Sequence, residues 1–284
     1  MQKEEIKACV LRIEGTNCED ETQNAFRELG VNAEIVHLKQ LIKSPEISKE
    51  LHRDLFDYQI LMFPGGFSSG DYVRAGAILA ARIKKYIGTD LVEFIKNGYA
   101  VGGICNGFQV MVELGILPGF DSPMTNRPNA ALSDNESAKF ECRPTLLKPV
   151  NRCAFTKNLN LNSDKNNVLL IPSAHGEGRF TFAPEKERDY MKYLEYNKQI
   201  IFKYAKPDGS IANGEYPWNP NGSISDIAGI CNPEGNVMGM MPHPERVMHS
   251  YLHHDWTRNP DVLNKPGDGR VIFESVIEYI REKF

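Results

Sequence analysis

Residues 101–111 read VGGICNGFQVM and place one cysteine between glycines, where a strand pattern gives way to a helical one. YAVGGI (99–104) has the short apolar run of a buried strand, and NGFQVMVEL (106–114) has helical spacing. The segment GICNG (103–107) has the form G-x-C-x-G, the thiol counterpart of the serine nucleophile elbow. A strand-to-helix turn this sharp forces its middle residue into a strained backbone conformation, and flanking glycines remove side chains that would collide. A sulfur held there stands at a helix N-terminus, where the dipole favours negative charge. The plainer alternative is a small core cysteine in a glycine turn, and the residues around it decide between the two.

Working outward, IKACVLRI (6–13) reads as a strand, EDETQNAFRELG (19–30) as a helix closed by Gly30, NAEIVHL (32–38) as a second strand and YQILMF (58–63) as a third. Helices are expected from Asp71 to about Tyr86 and from Asp90 to Asn97. Strands alternating with helices in this way predict an α/β fold, with a mainly parallel central sheet covered by helices on both faces. Beyond about Phe140 the pattern changes to strands and hairpins: KFECRPTLL, NVLLIP, RFTF, QIIFKY, and SISDIAGIC with NVMGMM across NPEG. The last helix, GRVIFESVIEYIREKF, carries a core-facing stripe at Ile272, Val276 and Ile280, with Phe273 and Ile277 beside it. The whole of 1–284 reads as one domain, with surface insertions at 121–137 and 249–269, both rich in Pro, Asn and Asp.

A net charge of −4 and a pI near 6.0 give no basic field to attract nucleic acid or an anionic membrane. The N-terminus is too charged for a secretory signal and no run of about 18 apolar residues occurs, so a soluble cytoplasmic protein is expected. The six cysteines show no CxxC pairing and read as reduced thiols rather than a disulfide framework or zinc site. A small molecule or another protein is the expected partner.

A nucleophilic thiol needs a base and a group to orient that base. Among seven histidines, His243 in MMPHPER has Glu245 two residues on, and prolines at 242 and 244 bias the backbone toward extension. In an extended segment residues i and i+2 point the same way, so the carboxylate reaches the imidazole. FPGGFSSGDY (63–72), at the end of the third strand, offers backbone N–H groups for a developing oxyanion, with the N–H of Asn106 as the second donor.

These elements, in the order PGGF, GICNG, HPE, resemble the class I (triad) glutamine amidotransferases, whose fold is flavodoxin-like. GTNCEDET (15–22), FPGGFSSGDYVRAGA (63–77), GGICNGFQVMVELGILPG (102–119), SAHGEGRF (173–180), GICNPEGNVMGMMPHPER (229–246) and DGRVIFESV (268–276) narrow the resemblance. Together they are similar to the family of glutaminase subunits of phosphoribosylformylglycinamidine synthase, an enzyme of purine biosynthesis. The resemblance implies that Cys105 attacks the glutamine side-chain amide, His243 shuttles the proton and Glu245 orients His243. It further implies that Gly66 and Asn106 hold the oxyanion, with Gly65, Phe67 and Gln109 around the glutamine. No G-x-x-x-x-G-K-[ST] or G-x-G-x-x-G motif occurs, so no cofactor is expected on this chain. ATP and magnesium are expected on a large synthetase subunit that receives the ammonia, with a small bridging subunit as a further possible partner.

Other groups read more plainly. His175 and Glu177 in SAHGEG are expected in structural or interface roles, with Arg179 touching the partner or its substrate. His253, His254 and Asp255 read as a solvated loop rather than a metal cluster, and Cys18, with no histidine near it in sequence, as having no chemistry. A DJ-1-type hydrolase or a cysteine peptidase sharing the elbow cysteine is the rival reading, along with a non-enzymatic scaffold.

Overall fold

The computed structural model describes residues 1–70, 73–161 and 167–284. Its first half alternates β1 (Lys7–Arg12), α1 (Glu19–Glu28), β2 (Asn32–His37), the single turn α2 (Leu38–Leu41), β3 (Ile60–Phe63), α3 (Ala77–Lys96), β4 (Ala100–Ile104) and α4 (Asn106–Leu114). The second half holds β5 (Ala131–Ser133), β6 (Glu141–Pro149), β7 (Leu169–His175), β8 (Arg179–Thr181), α5 (Glu187–Tyr196), β9 (Ile200–Ala205), β10 (Ile227–Cys231), β11 (Val237–Met240) and α6 (Arg270–Lys283).

Nine strands form one sheet in the order β2-β1-β3-β4-β11-β10-β9-β6-β7. From β2 to β11 every neighbour is parallel, and from β11 to β7 every neighbour is antiparallel. The parallel half matches the expected α/β architecture, and the hairpins of the second half extend the same sheet. The chain steps from β1 to β2 in one direction and from β3 to β4 in the other. Right-handed crossovers therefore put α1 and α3 on opposite faces. α1 packs with α6, Phe26 meeting Phe273 edge-to-face at 5.1 Å, while α3 packs with α4. Among the described residues no helix is long and apolar enough to cross a membrane.

Three expectations need correction. The two helices read across 71–97 are one, Ala77–Lys96; the expected start at Asp71 falls, with Tyr72, outside the described residues. Gly88 does not break it, because Ile83, Ile87, Leu91 and Phe94 continue one buried stripe through the glycine. The segment 121–137 is a surface insertion only in its first part: Ala131–Ser133 pairs with Arg179–Thr181, and Asn135 is buried. β7 runs on past Pro172 to His175, so the strand read as NVLLIP extends through SAH. Residues 249–269 are mostly exposed and carry two short 3-10 turns.

A Cβ on Gly88 would meet Ile83 O and Met124 Sδ at 3.8 Å, ordinary contact distances. Gly88→Ala is expected to raise stability by about 0.5–1 kcal/mol through helix propensity. Urea unfolding checks this, and a lower midpoint would mean that the helix needs the glycine.

Candidate active site

The elbow is built by close approach. Cys105 caps α4 with φ 52° and ψ −110°, far from the regions open to most L-residues. Its N–H donates to Met240 O at 2.8 Å and its carbonyl accepts from Gln109 N–H at 3.1 Å, so β11 and α4 hold both sides of the strained residue. A Cβ on Gly107 would run into the Phe63 carbonyl, and one on Gly103 into Met111 Sδ. The two glycines are thus required by crowding between β3, β4 and α4. Cys105 Sγ lies 3.6 Å from Ala174 O and the residue is 6% exposed.

His243 Nδ1 and Glu245 Oε1 stand 2.6 Å apart, both residues buried. The backbone that brings them together differs from the expected extended segment: His243 has φ −104° and ψ 88°, and Pro244–Val247 form a 3-10 turn. The turn brings Glu245 back onto its neighbour, which a two-residue strand spacing leaves farther away. With Nδ1 held by the carboxylate, Nε2 has no conventional partner, and the thiols of Cys105 and Cys18 are the polar groups beside the ring. Burial opposes a charge on His243, but the Glu245 carboxylate and then the thiols of Cys105 and Cys18 outweigh it and push the ring well above the ordinary histidine range.

The loop after β3 lies against this pair. Around the bridge Thr16–Gly66, Phe67 N–H donates to Gly15 O at 2.9 Å and Asn17 N–H to Gly65 O at 3.4 Å. That pattern turns the N–H of Gly66 away from residues 15–17. Asn106, the first residue of α4, has an N–H without an intrahelical acceptor. Its side chain accepts from Ser68 N–H at 3.1 Å and donates to Gln109 Oε1 at 3.0 Å, tying the 65–68 loop to the helix. Gly65 packs against His243, Gln109 donates to Glu177 O at 2.5 Å, and the Phe67 side chain is exposed.

Sequence reasoning missed two neighbours of the site. Cys18 is buried beside His243: its sulfur and one donor atom each of His243 and Glu245 lie within 4.8 Å of one another. Arg246 Nη2 donates to Cys18 Sγ at 3.1 Å, and His243 Nδ1 is already held, so these atoms form a hydrogen-bonded network that leaves little for a metal. Among the described residues, His253, His254 and Asp255 gather no third ligand atom. The second neighbour is SAHGEG, which the end of β7 delivers to the elbow through Ala174 O and Glu177, whose carboxylate accepts from Ala75 N–H at 3.2 Å. Arg179 lies in β8, where its guanidinium donates to Ser133 Oγ at 3.3 Å.

His175 is buried, and its tautomer follows from Asn135. That amide donates to the carbonyls of Lys139 and His175, both at 2.8 Å, while its oxygen accepts from Gly178 N–H at 3.1 Å. His175 Nδ1, 3.1 Å from the same oxygen, is therefore the protonated nitrogen, and Nε2 is buried without a partner. Burial, then the neighbouring His243, push its pKa down to about 4.

Two outcomes follow. A Cβ on Gly65 would stand 2.8 Å from His243 Cε1 and 3.2 Å from Cys18 Sγ, so Gly65→Ala is expected to cut turnover at least about tenfold while circular dichroism stays native. The histidines act oppositely on stability. His243, raised on folding, stabilises below its unfolded value and loses that contribution only as pH climbs through its folded value. His175, lowered to about 4, contributes above about pH 6.5, and about 3 kcal/mol is lost as pH falls from there toward 4. Nitrogen NMR of His175 should show a neutral Nδ1–H ring until near pH 4; a midpoint near 6.5 would refute this environment.

The family model of a CobB/CobQ-like glutamine amidotransferase domain matches residues 5–280. A protein of Archaeoglobus fulgidus named phosphoribosylformylglycinamidine synthase subunit PurQ is 52% identical over 285 residues, covering 99% of this chain and 100% of its own. Both segments expected as insertions therefore fall inside that match. A protein of the same name from Methanococcus maripaludis is 40% identical, covering 97% of this chain and 98% of its own. The solved structure of PurLQS from Thermotoga maritima contains a chain superposing with a TM-score of 0.68 at 29% identity, covering 97% of this chain and 99% of that one. With an elbow cysteine and a buried histidine–glutamate pair at the carboxyl ends of a parallel sheet, the chain belongs to the CobB/CobQ-like glutamine amidotransferases, among the PurQ subunits of phosphoribosylformylglycinamidine synthase.

Proposed function

We propose that this chain hydrolyses glutamine to glutamate and ammonia as the glutaminase subunit of phosphoribosylformylglycinamidine synthase. The observation that carries the reading is the buried His243–Glu245 pair at 2.6 Å, with the free ring nitrogen beside a cysteine held at φ 52°. Cys105 Sγ attacks the side-chain amide carbon, and His243 takes the thiol proton and delivers it to the departing ammonia. The N–H groups of Gly66 and Asn106 receive the negative charge that builds on the amide oxygen. Water, losing its proton to His243, then attacks the glutamyl thioester and releases glutamate and the thiol. Glu245 keeps the ring oriented and balances its charge in both halves. Gly65, Phe67 and Gln109 surround the glutamine in this reading.

The ammonia passes to an ATP-dependent synthetase subunit that converts formylglycinamide ribonucleotide to its amidine. ATP and magnesium act on that large subunit, and no cofactor acts on this chain. Similarity to a chain of the PurLQS structure supports the large subunit and a small bridging subunit as partners. The complex works in the cytoplasm. The relatives above carry the synthase-subunit name, not that of a DJ-1-type hydrolase or a peptidase.

In the assembled complex, Cys105→Ala is expected to lower glutamine-dependent amidine synthesis by about a thousandfold or more while ammonia-dependent synthesis persists. Full glutamine-dependent synthesis by that variant would remove Cys105 from the mechanism. Peptide or ester turnover without glutaminase activity would favour the rival hydrolases.

A further inference from the structure

Two cysteines that the glutaminase chemistry does not use meet at the other end of the sheet. Cys231 ends β10, and Cys153 lies in the loop after β6. The segments are fastened together: Ala154 N–H donates to Gly235 O at 2.7 Å, and a Cβ on Gly235 would come 3.6 Å from Cys153 Cα. Both thiols line one surface pocket of about 360 Å³, near enough for each to shift the other's titration. Arg152, Lys157 and Lys198 also line it, with Glu234 beside them and Lys157 paired to Glu282, so that the balance is basic.

We infer that Cys153 and Cys231 form a reversible thiol–disulfide pair, oxidised by a small anionic disulfide that enters this basic pocket. The roles of the two sulfurs differ. Cys153 is the more exposed, 9% against 3% for Cys231. Burial raises its pKa, but the neighbouring Cys231 and hydrogen bonds from the Thr156 hydroxyl and the N–H groups of Phe155 and Thr156 bring it below the ordinary thiol range. The neighbouring Cys153, then burial, keep the proton on Cys231. That is the asymmetry of an attacking and a resolving thiol.

With glutathione disulfide the steps balance. The Cys153 thiolate attacks one sulfur, forming a mixed disulfide and releasing a glutathione thiolate. Cys231 then gives up its proton and attacks the Cys153 sulfur, forming the intramolecular bond and releasing the second glutathione thiolate, which takes that proton. The two cysteines lose two electrons and glutathione disulfide gains them.

The test incubates the full chain with oxidised glutathione, blocks remaining thiols by alkylation and maps the peptides by mass spectrometry. The expected result is a Cys153–Cys231 linked peptide that dithiothreitol removes, whatever happens at the exposed Cys142. Cys231→Ser should trap glutathione on Cys153, and Cys153→Ser should leave Cys231 unmodified. Glutathione stopping on Cys153 in the unaltered chain, no modification of either cysteine, or Cys231 linked elsewhere would each overturn the pairing. The unaltered chain decides the matter even if a variant folds poorly.

Discussion

The backbone at Cys105 is the constraint on which the site rests. An L-residue adopts φ 52°, ψ −110° only when its surroundings over-determine it. Here β3, β4 and β11 lie side by side, the Phe63 carbonyl presses on the space above Gly107, and the Cys105 N–H is taken by Met240. The strain is held by the parallel sheet, so the sulfur is presented without a flexible loop to carry it. The 3-10 turn bearing His243 and Glu245 follows directly from β11, the strand hydrogen-bonded to the one that ends at the nucleophile.

The antiparallel half completes what the parallel half starts. β7 lies at the far edge of the sheet, yet its end returns to the elbow: Pro172 O accepts the N–H of His243 at 2.8 Å and Ala174 O faces the Cys105 sulfur. Asn135, from the segment before β6, fixes His175 just beyond. The site thus joins the two halves of the chain, and its geometry depends on both folding together.

Much of this was legible in the sequence because it is local. Apolar runs marked β1 to β4, glycines marked the elbow, and a two-residue spacing paired His243 with Glu245. What escaped depends on contacts between distant segments. Cys18 and Arg246 stand 228 positions apart and meet only because β1 and β11 both end at the same edge of the parallel layer. Glu177 reaches Gln109 and Ala75 through the return of β7, which strand periodicity cannot disclose. The break expected between Tyr86 and Asp90 does not occur, because a buried stripe runs through Gly88 and carries one continuous helix. The local backbone at 243–245 was misread for a related reason: two prolines restrict the residues before them without specifying the turn that follows.

The space above Gly107 also sets where this chain is free to diverge. Every other amino acid brings a Cβ, and a main-chain carbonyl that cannot step aside without unpairing β3 already fills the place. Drift is therefore barred at the elbow and at Gly267 and Gly269, where a Cβ would meet the Val247 and Pro244 carbonyls of the turn that carries Glu245, whereas the exposed residues 256–261 are freer to change. New surfaces for docking can arise there generation after generation while the chemistry stays fixed.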